Sequence, residues 1–463
     1  MTTGANQILV SGTNTPDPYA VSTLQTVETA AISGIPIMSV GVLHRWHGAF
    51  DNSTTVNQTT NLSALARGYC IKMEAEAPFD AVRLVWTSKN GSNAINNCSA
   101  LVGVTETADF STGTNASQVI IGGTSYGVLA SATSINGWRS VTWNSGGNVV
   151  NLPAATTNVT YTFSDWIPLS SVARADGGSR PLFIYRVSHD GSVDGNWNFI
   201  SPSGIIALAS PTPANRNRTF LISSRNDATL VSTPANNVSV INQATTMLVY
   251  PQFRYRVPQV SVLSVGDSTI QNDALVTNFI TSWGQRGCYD ASSQTRVVVN
   301  SNMGADSQTS DVYWLRAQEL LNTGFRPDVL VIEPASVNDY GSSVTADQLN
   351  RISETWRART FEIVDTARAK GIRNVCLSPL LPKNANTALQ DTYRQAFNNF
   401  LKTFSNQIQG VGFLTFPVGD GGTPEKWLPQ YDNGDGIHPN EYCIDSVMAP
   451  TLTTYLSQSN LGF

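Results

Sequence analysis

The chain has 463 residues, of which 41% are hydrophobic and only 13% charged, with a formal net charge of −5. That length exceeds one ordinary core and calls for two or three domains, and an acidic balance with no basic cluster argues against a nucleic-acid partner. No apolar run approaches the ~18 residues that a membrane span needs.

The first ~35 residues are polar, carry Pro16 and Pro18, and read as an arm or linker. Their opening, MTTGANQILVSGTNTPDPYA, lacks the charged start and apolar stretch of a signal peptide. Action outside a cell would then need another route, such as lysis within a virion, and a cytoplasmic location stays open.

From 36 to about 255, short apolar stretches alternate with turn-rich ones. AVRLVW (81–86), SQVIIGG (117–123), RSVTW (139–143), TYTFSDWIPL (160–169), RPLFIYRV (180–187) and TMLVYPQFRY (246–255) are separated by NGSN, TGTN, NSGGN, DGGS and HDGS. Strands at this spacing with hardly any helical signal predict an all-β sandwich or jelly roll.

From 256 to 463 the pattern becomes strand, then helix, several times over. The expected strands are QVSVLSV (259–265), RVVVN (296–300), DVLVIE (328–333), RNVCLSP (373–379) and GVGFLTF (410–416). One intervening helix opens with the capping box Thr345 to Gln348 and ends at Gly371, and another covers roughly 387–409 and stops at Gly410. Doubly buried strands alternating with helices imply an α/β domain with a parallel sheet. Ligands of such sheets bind beyond the carboxyl ends of the strands, and the first strand runs there into Gly266-Asp267-Ser268.

A serine at that corner needs a base, and the chain holds four histidines. His44 and His47 lie among strand-like residues, where a spacing of three turns them to opposite faces and away from a shared metal. His189, in SHDGS, is a turn residue. His438 lies in G-D-G-I-H-P-N (434–440), three residues after Asp435 and directly before Pro439, which suits a first helical position. An Asp-x-x-His loop lets the carboxylate fix the imidazole tautomer, so the other ring nitrogen can take a serine proton. Oxyanion donors should come from neighbouring strand ends. Gly304, in NSNMGADS (300–307), offers a backbone N–H, and Asn338, in EPASVND (333–339), a side-chain amide.

Two stretches imitate other sites. Gly-Thr-Ser-Tyr-Gly (123–127) spells a nucleophile elbow but continues as β-type sequence rather than into a helix. Tyr-Asp-Asn-Gly-Asp-Gly (431–436) resembles the start of a calcium loop with Tyr431 where the first ligand belongs. The five cysteines, at 70, 98, 288, 376 and 443, form no CxxC and have no adjacent histidine, so no metal cluster is expected. Cys70 and Cys98 fall in the same half and are candidates for a disulfide.

Residues ~257–463 resemble the SGNH, or GDSL, hydrolases. Gly266-Asp267-Ser268 and Asp435-Gly-Ile-His438-Pro439 match that family's first and last blocks in full. Gly304 and Asn338-Asp339 match the middle two, where Ser307 and Ser336 stand in place of expected glycines. The resemblance implies a three-layer, flavodoxin-like α/β/α domain and ester hydrolysis without cofactor or metal. It gives Ser268 the role of nucleophile, His438 that of base and Asp435 that of its orienting partner. The oxyanion hole would be the N–H groups of Ser268 and Gly304 with the Asn338 amide.

The family includes lipases, thioesterases and carbohydrate deacetylases, so the triad alone does not choose an ester. The neutral polar surface and six tryptophans in the β-rich half point toward an acetylated glycan. A short-chain acyl esterase or thioesterase without sugar specificity, or a non-catalytic β-sandwich adhesin with a dead hydrolase module, are the alternatives. The Asn/Ser/Thr/Gly-rich β sequence also resembles phage tail proteins that carry such domains. On that reading the N-terminal arm would serve virion attachment or a homo-oligomer.

Overall fold

The computed structural model describes residues 41–42, 55–56, 68–88, 95–107, 119–122, 124–126, 137–153, 160–188, 197–200, 220–225, 239–240, 246–247, 249–271, 282–293, 295–304, 308–322 and 325–458. The polar arm, His44, His47, His189 and Ser307 lie outside them.

In the central strands of the C-terminal half, apolar side chains alternate and both sets are buried. Leu263 and Val265 of the strand Gln259–Gly266 join one core, while Val260 and Val262 join another. Leu330 and Ile332 are split from Val329 and Val331 in the same way in Val329–Ile332. A strand with two dry faces needs helices on both sides, which a parallel sheet with crossovers supplies.

That sheet consists of β1 (Gln259–Gly266), β2 (Val297–Gly304), β3 (Val329–Ile332), β4 (Asn374–Leu377) and β5 (Val411–Phe413). All neighbours are parallel and the spatial order is β2-β1-β3-β4-β5. This is the flavodoxin-like order, in which the chain reverses direction of growth at β1. The short helix α1 (Ser268–Gln271) follows β1, and α2 (Trp283–Ala291), α3 (Ser310–Asn322), α4 (Ala346–Ala369) and α5 (Ala388–Gln407) follow in turn. The chain closes with α6 (Glu441–Cys443), a π turn (Ile444–Met448) and α7 (Ala449–Leu456).

Trp283 of α2 and Leu452 of α7 pack in the core that holds Val260, whereas Tyr313 of α3, Trp356 of α4 and Phe397 of α5 pack with Leu263. The result is three layers, α/β/α. The two long helices start where their sequences say they should. Thr345 and Thr387 each accept from the amide three residues on, and Gln348 and Gln390 answer from their side chains. Gly371 and Gly410 take φ of +79° and +78° just beyond them, a conformation that costs other residues ~1–2 kcal/mol.

The described strands of the first half are antiparallel. Phe79–Ser88 pairs with Val249–Tyr255 and with Thr160–Phe163, while Leu182–Ser188 lies between Gly68–Glu74 and Ile95–Thr105. The two groups meet where Phe183 stands edge-on to Phe253, with centroids 5.0 Å apart, and where Tyr185 donates to the carbonyl of Val249 at 2.8 Å. Buried aromatic pairs of this geometry are worth ~0.5–1.5 kcal/mol beyond their area.

The strand order rules out a disulfide between Cys70 and Cys98. Cys70 sits on Gly68–Glu74 and Cys98 on Ile95–Thr105, with Leu182–Ser188 hydrogen-bonded between them. Two strand spacings separate them by roughly 9.5 Å, beyond the ~7 Å limit for a bridged Cα pair. Four of the six tryptophans of this half serve packing: Trp86, Trp138 and Trp143 are buried, and Trp166 is flanked by the Arg83 and Arg254 guanidinium groups.

Candidate active site

β1 ends at Gly266 in register with Gly304 at the end of β2. The chain turns at Asp267, and Ser268 is the first residue of α1. No carbonyl inside a helix can accept from its first amide, so the Ser268 N–H is one of the groups the helix leaves unshared. A β-carbon on Gly266 would lie 2.3 Å from Oε2 of Glu333, the residue that follows β3. A side chain there would displace the Glu333 carboxyl from its place under the turn.

The second contribution comes from the loop before α6. Asp432 Oδ1 accepts from the amides of Gly434 and Gly436 at 2.9 and 3.0 Å, which folds the loop back on itself. Gly434 and Gly436 take φ of +98° and +74°. Asn384, beyond β4, donates its amide to the Gly436 carbonyl at 2.8 Å and its side chain to Asp432 Oδ2 at 3.0 Å. The acidic residues that imitate a calcium loop are therefore turn-forming acceptors for backbone N–H groups.

Within this frame the Asp435 carboxylate uses both oxygens. Oδ1 accepts from the amides of Ile437 and His438 at 2.8 and 2.9 Å, and Oδ2 faces His438 Nδ1 at 2.6 Å. The other ring nitrogen, Nε2, lies 2.8 Å from Ser268 Oγ. Burial pushes the Asp435 carboxyl up, but hydrogen bonds from the His438 ring and from the two amides outweigh it and hold the group below its ordinary 3.8. An ionised carboxylate at Nδ1 keeps the proton on that nitrogen and leaves Nε2 as the acceptor facing the serine. Such a row can draw the proton from Ser268 as its oxygen attacks an electrophile. Pro439 does not open the helix: Asn440 caps it, accepting from Cys443 at 2.8 Å, and the proline precedes the cap.

Asn338 stands on the loop after β3. Its Nδ2 donates to the Gln308 carbonyl at 3.1 Å, and the amide nitrogen carries a second proton. Ser336, at the position where a glycine is expected, is fully buried. Its hydroxyl donates to Asp267 Oδ2 at 2.5 Å and accepts from the Asn338 amide at 3.0 Å. One hydroxyl thus ties the serine turn to the asparagine loop, a link no glycine could make. Asp339 anchors the same loop by accepting from Ser310, Ser336 and Trp356. Of the Gly-Thr-Ser-Tyr-Gly stretch, Thr124–Tyr126 pairs antiparallel with Val119–Ile121. Among the described residues, no group of three or more His, Cys, Asp or Glu could hold a metal ion.

Sequence reading alone did not single out Glu333, Asn384 or Asp432 as supports of the site. The signals available were a lone acidic residue ending an apolar strand, and an Asp-x-Gly-x-Gly spacing that marks a carboxylate-stapled turn.

Residues 264–442 match the model of the GDSL-like Lipase/Acylhydrolase family. The C-terminal half therefore carries a GDSL-like acylhydrolase domain, and the protein is an ester hydrolase of the SGNH type. No curated protein sequence matches the chain. Solved structures similar to it include a GDSL-like lipase from Bacteroides thetaiotaomicron, with 19% identity, 43% of this chain and 87% of that chain covered, and a TM-score of 0.29. A carbohydrate esterase family 3 protein from Talaromyces cellulolyticus has 16% identity, coverage of 43% and 98%, and a TM-score of 0.32. A catalytic mutant of an acetylxylan esterase from Geobacillus stearothermophilus has 14% identity, coverage of 44% and 94%, and a TM-score of 0.30.

Proposed function

We propose that this ester hydrolase removes O-acetyl groups from a polysaccharide, with Ser268, His438 and Asp435 as its catalytic triad. The observation that carries the triad is the unbroken row from Asp435 Oδ2 to His438 to Ser268 Oγ, with contacts of 2.6 and 2.8 Å. Ser268 Oγ attacks the acetyl carbon while His438 Nε2 takes its proton. The oxyanion rests on the N–H groups of Ser268 and Gly304 and on the second proton of the Asn338 amide. His438 then protonates the leaving sugar hydroxyl, giving an acetyl-enzyme that water cleaves by the reverse sequence.

Two features support a glycan as substrate. The chain is 13% charged and rich in Asn, Ser, Thr and Gly, so its surface is polar without strong fields. Tyr431 and Tyr442 also stack with centroids 6.0 Å apart on either side of the His438 loop. Tyr442 is 60% exposed, an aromatic face of the kind that packs on sugar rings.

The proposed organisation is an arm (1–35), a β-sandwich or jelly-roll module (36–255) that presents the glycan, and the hydrolase (256–463). Phe183 against Phe253 supports a sandwich for the module. The test is acetate release from O-acetylated polysaccharides beside hydrolysis of aryl acetate, by wild type and Tyr442→Ala. The proposal expects wild type to release acetate from at least one polysaccharide, and Tyr442→Ala to lose more activity there than on aryl acetate. Hydrolysis of aryl esters alone would reassign the protein as a short-chain esterase without sugar specificity.

A further inference from the structure

Glu333 follows β3 beneath the serine turn and is buried, at 3% exposure. Its Oε2 accepts from the Asp267 amide at 3.0 Å, and its Oε1 lies 2.6 Å from the Thr269 hydroxyl. The residues before and after Ser268 are thus both held by one side chain. The same carboxyl fills the space beside Gly266 that a side chain would take. The Asp267 carboxyl is also in hydrogen-bond contact with it, while accepting from the Thr269 amide at 2.8 Å and from Ser336 at 2.5 Å. Among the described residues, no lysine or arginine bonds to Glu333.

We propose that Glu333 is a positioning residue that works as a neutral carboxylic acid: it shares its proton with the turn and sets the backbone that aims Ser268 at His438. The inference rests on Ser268 being the nucleophile. Two buried carboxyl groups in contact, with no cation between them, cannot both ionise. Each accepts from one amide and one hydroxyl, Asp267 from Thr269 and Ser336 and Glu333 from Asp267 and Thr269, and burial is what places the retained proton on Glu333. Burial first, and the Asp267 carboxylate second, push the Glu333 carboxyl well above its ordinary 4.5.

The titratable and charged groups around this pair come from several elements. Tyr313 of α3 donates to the Glu333 carbonyl at 2.7 Å. Asp339 of the β3–α4 loop and Arg359 of α4 act on that tyrosine. His438 reaches the turn through Ser268. A protonated acid donates with one oxygen and accepts with the other, which is also what a glutamine does.

An acid whose folded-state pKa is raised stays protonated after the unfolded chain has released its proton. Its stability contribution is full below 4.5 and declines as pH rises toward the folded value. Glutamine has no such decline.

The experiment compares wild type, Glu333→Gln and Glu333→Ala in kcat and KM for aryl acetate, in the rate of Ser268 labelling by a fluorophosphonate, and in Tm from pH 4.5 to 8.5. The proposal expects Glu333→Gln to keep at least a third of wild-type kcat and labelling rate. It expects Glu333→Ala to lose at least 30-fold in both, with KM within threefold. The Tm of Glu333→Gln minus that of wild type should rise steadily with pH. Should Glu333→Ala not fold, Glu333→Met, similar in size but without donor or acceptor, takes its place with the same expected losses. Glu333→Gln failing together with Glu333→Ala, or a Tm difference that stays flat or falls with pH, would overturn the proposal. Wild type that resists labelling would instead refute Ser268 as nucleophile, and the thermal comparison, which needs no catalysis, would still decide the state of Glu333.

Discussion

His438 Nε2 lies 2.8 Å from Ser268 Oγ, although 170 residues separate them in the chain. The distance is set by two independent supports. Glu333 and Ser336 fix the serine turn from the end of β3, and Asn384 and Asp432 fix the histidine loop from the end of β4. Each support joins backbone amides to a buried or half-buried side chain, which is how a site is held to fractions of an ångström.

Asp435→Asn should leave the loop largely intact, because an amide oxygen can still accept from Ile437 and His438. The amide cannot hold the imidazole in the same tautomer, and kcat should fall by ~10³–10⁴ with KM changed far less. Steady-state kinetics on aryl acetate check this. A loss below tenfold would mean that Asp435 does not orient the base.

The same carboxylate carries a pH signature. Its folded pKa lies below the ordinary 3.8, so its contribution to stability is complete above 3.8 and lost as pH falls through the lower folded value. The Tm of wild type should therefore exceed that of Asp435→Asn by a constant margin from pH 5 to 7. The margin should shrink below pH 3.8. Thermal melts across that range read it directly. The slope is opposite to the one expected at Glu333, so the two carboxyl groups separate in one data set.

Gly436→Ala tests the loop. The position has φ of +74°, and an added β-carbon would lie 2.7 Å from Cβ of Asn384. Left-handed backbone costs ~1–2 kcal/mol for a non-glycine residue, and the clash adds to it. A loss of roughly 1–3 kcal/mol in stability is expected. A drop in kcat should accompany it as His438 leaves register with Ser268. Chemical denaturation and kinetics of the same preparation check both.

Much of this site was legible because its chemistry depends on short, local patterns. Gly266-Asp267-Ser268 and Asp435-x-x-His438 are spelled in consecutive residues, and the apolar runs of β1 to β4 mark a sheet buried on both faces. Thr345 and Gln348 announce their capping box in the same way. What stayed hidden depends on contacts distant in sequence. Glu333 reads as an ordinary strand end until Gly266 is seen against it, and Ser336 reads as a departure from a glycine until its hydroxyl meets Asp267. Asp432 looked like part of a failed ion loop because a carboxylate that staples a turn uses the same spacing. Cys70 and Cys98 looked pairable because sequence proximity does not reveal the strand Leu182–Ser188 between them. The π turn at Ile444–Met448 left no sequence signal that local propensity could read.

The most direct test of the central claim is hydrolysis of a p-nitrophenyl ester series, acetate to decanoate, by wild type and Ser268→Ala. Acetate turnover should exceed that of longer esters and drop by at least ~10³ in Ser268→Ala. Activity that survives the substitution would contradict the triad, and turnover that peaks on long chains would contradict deacetylation.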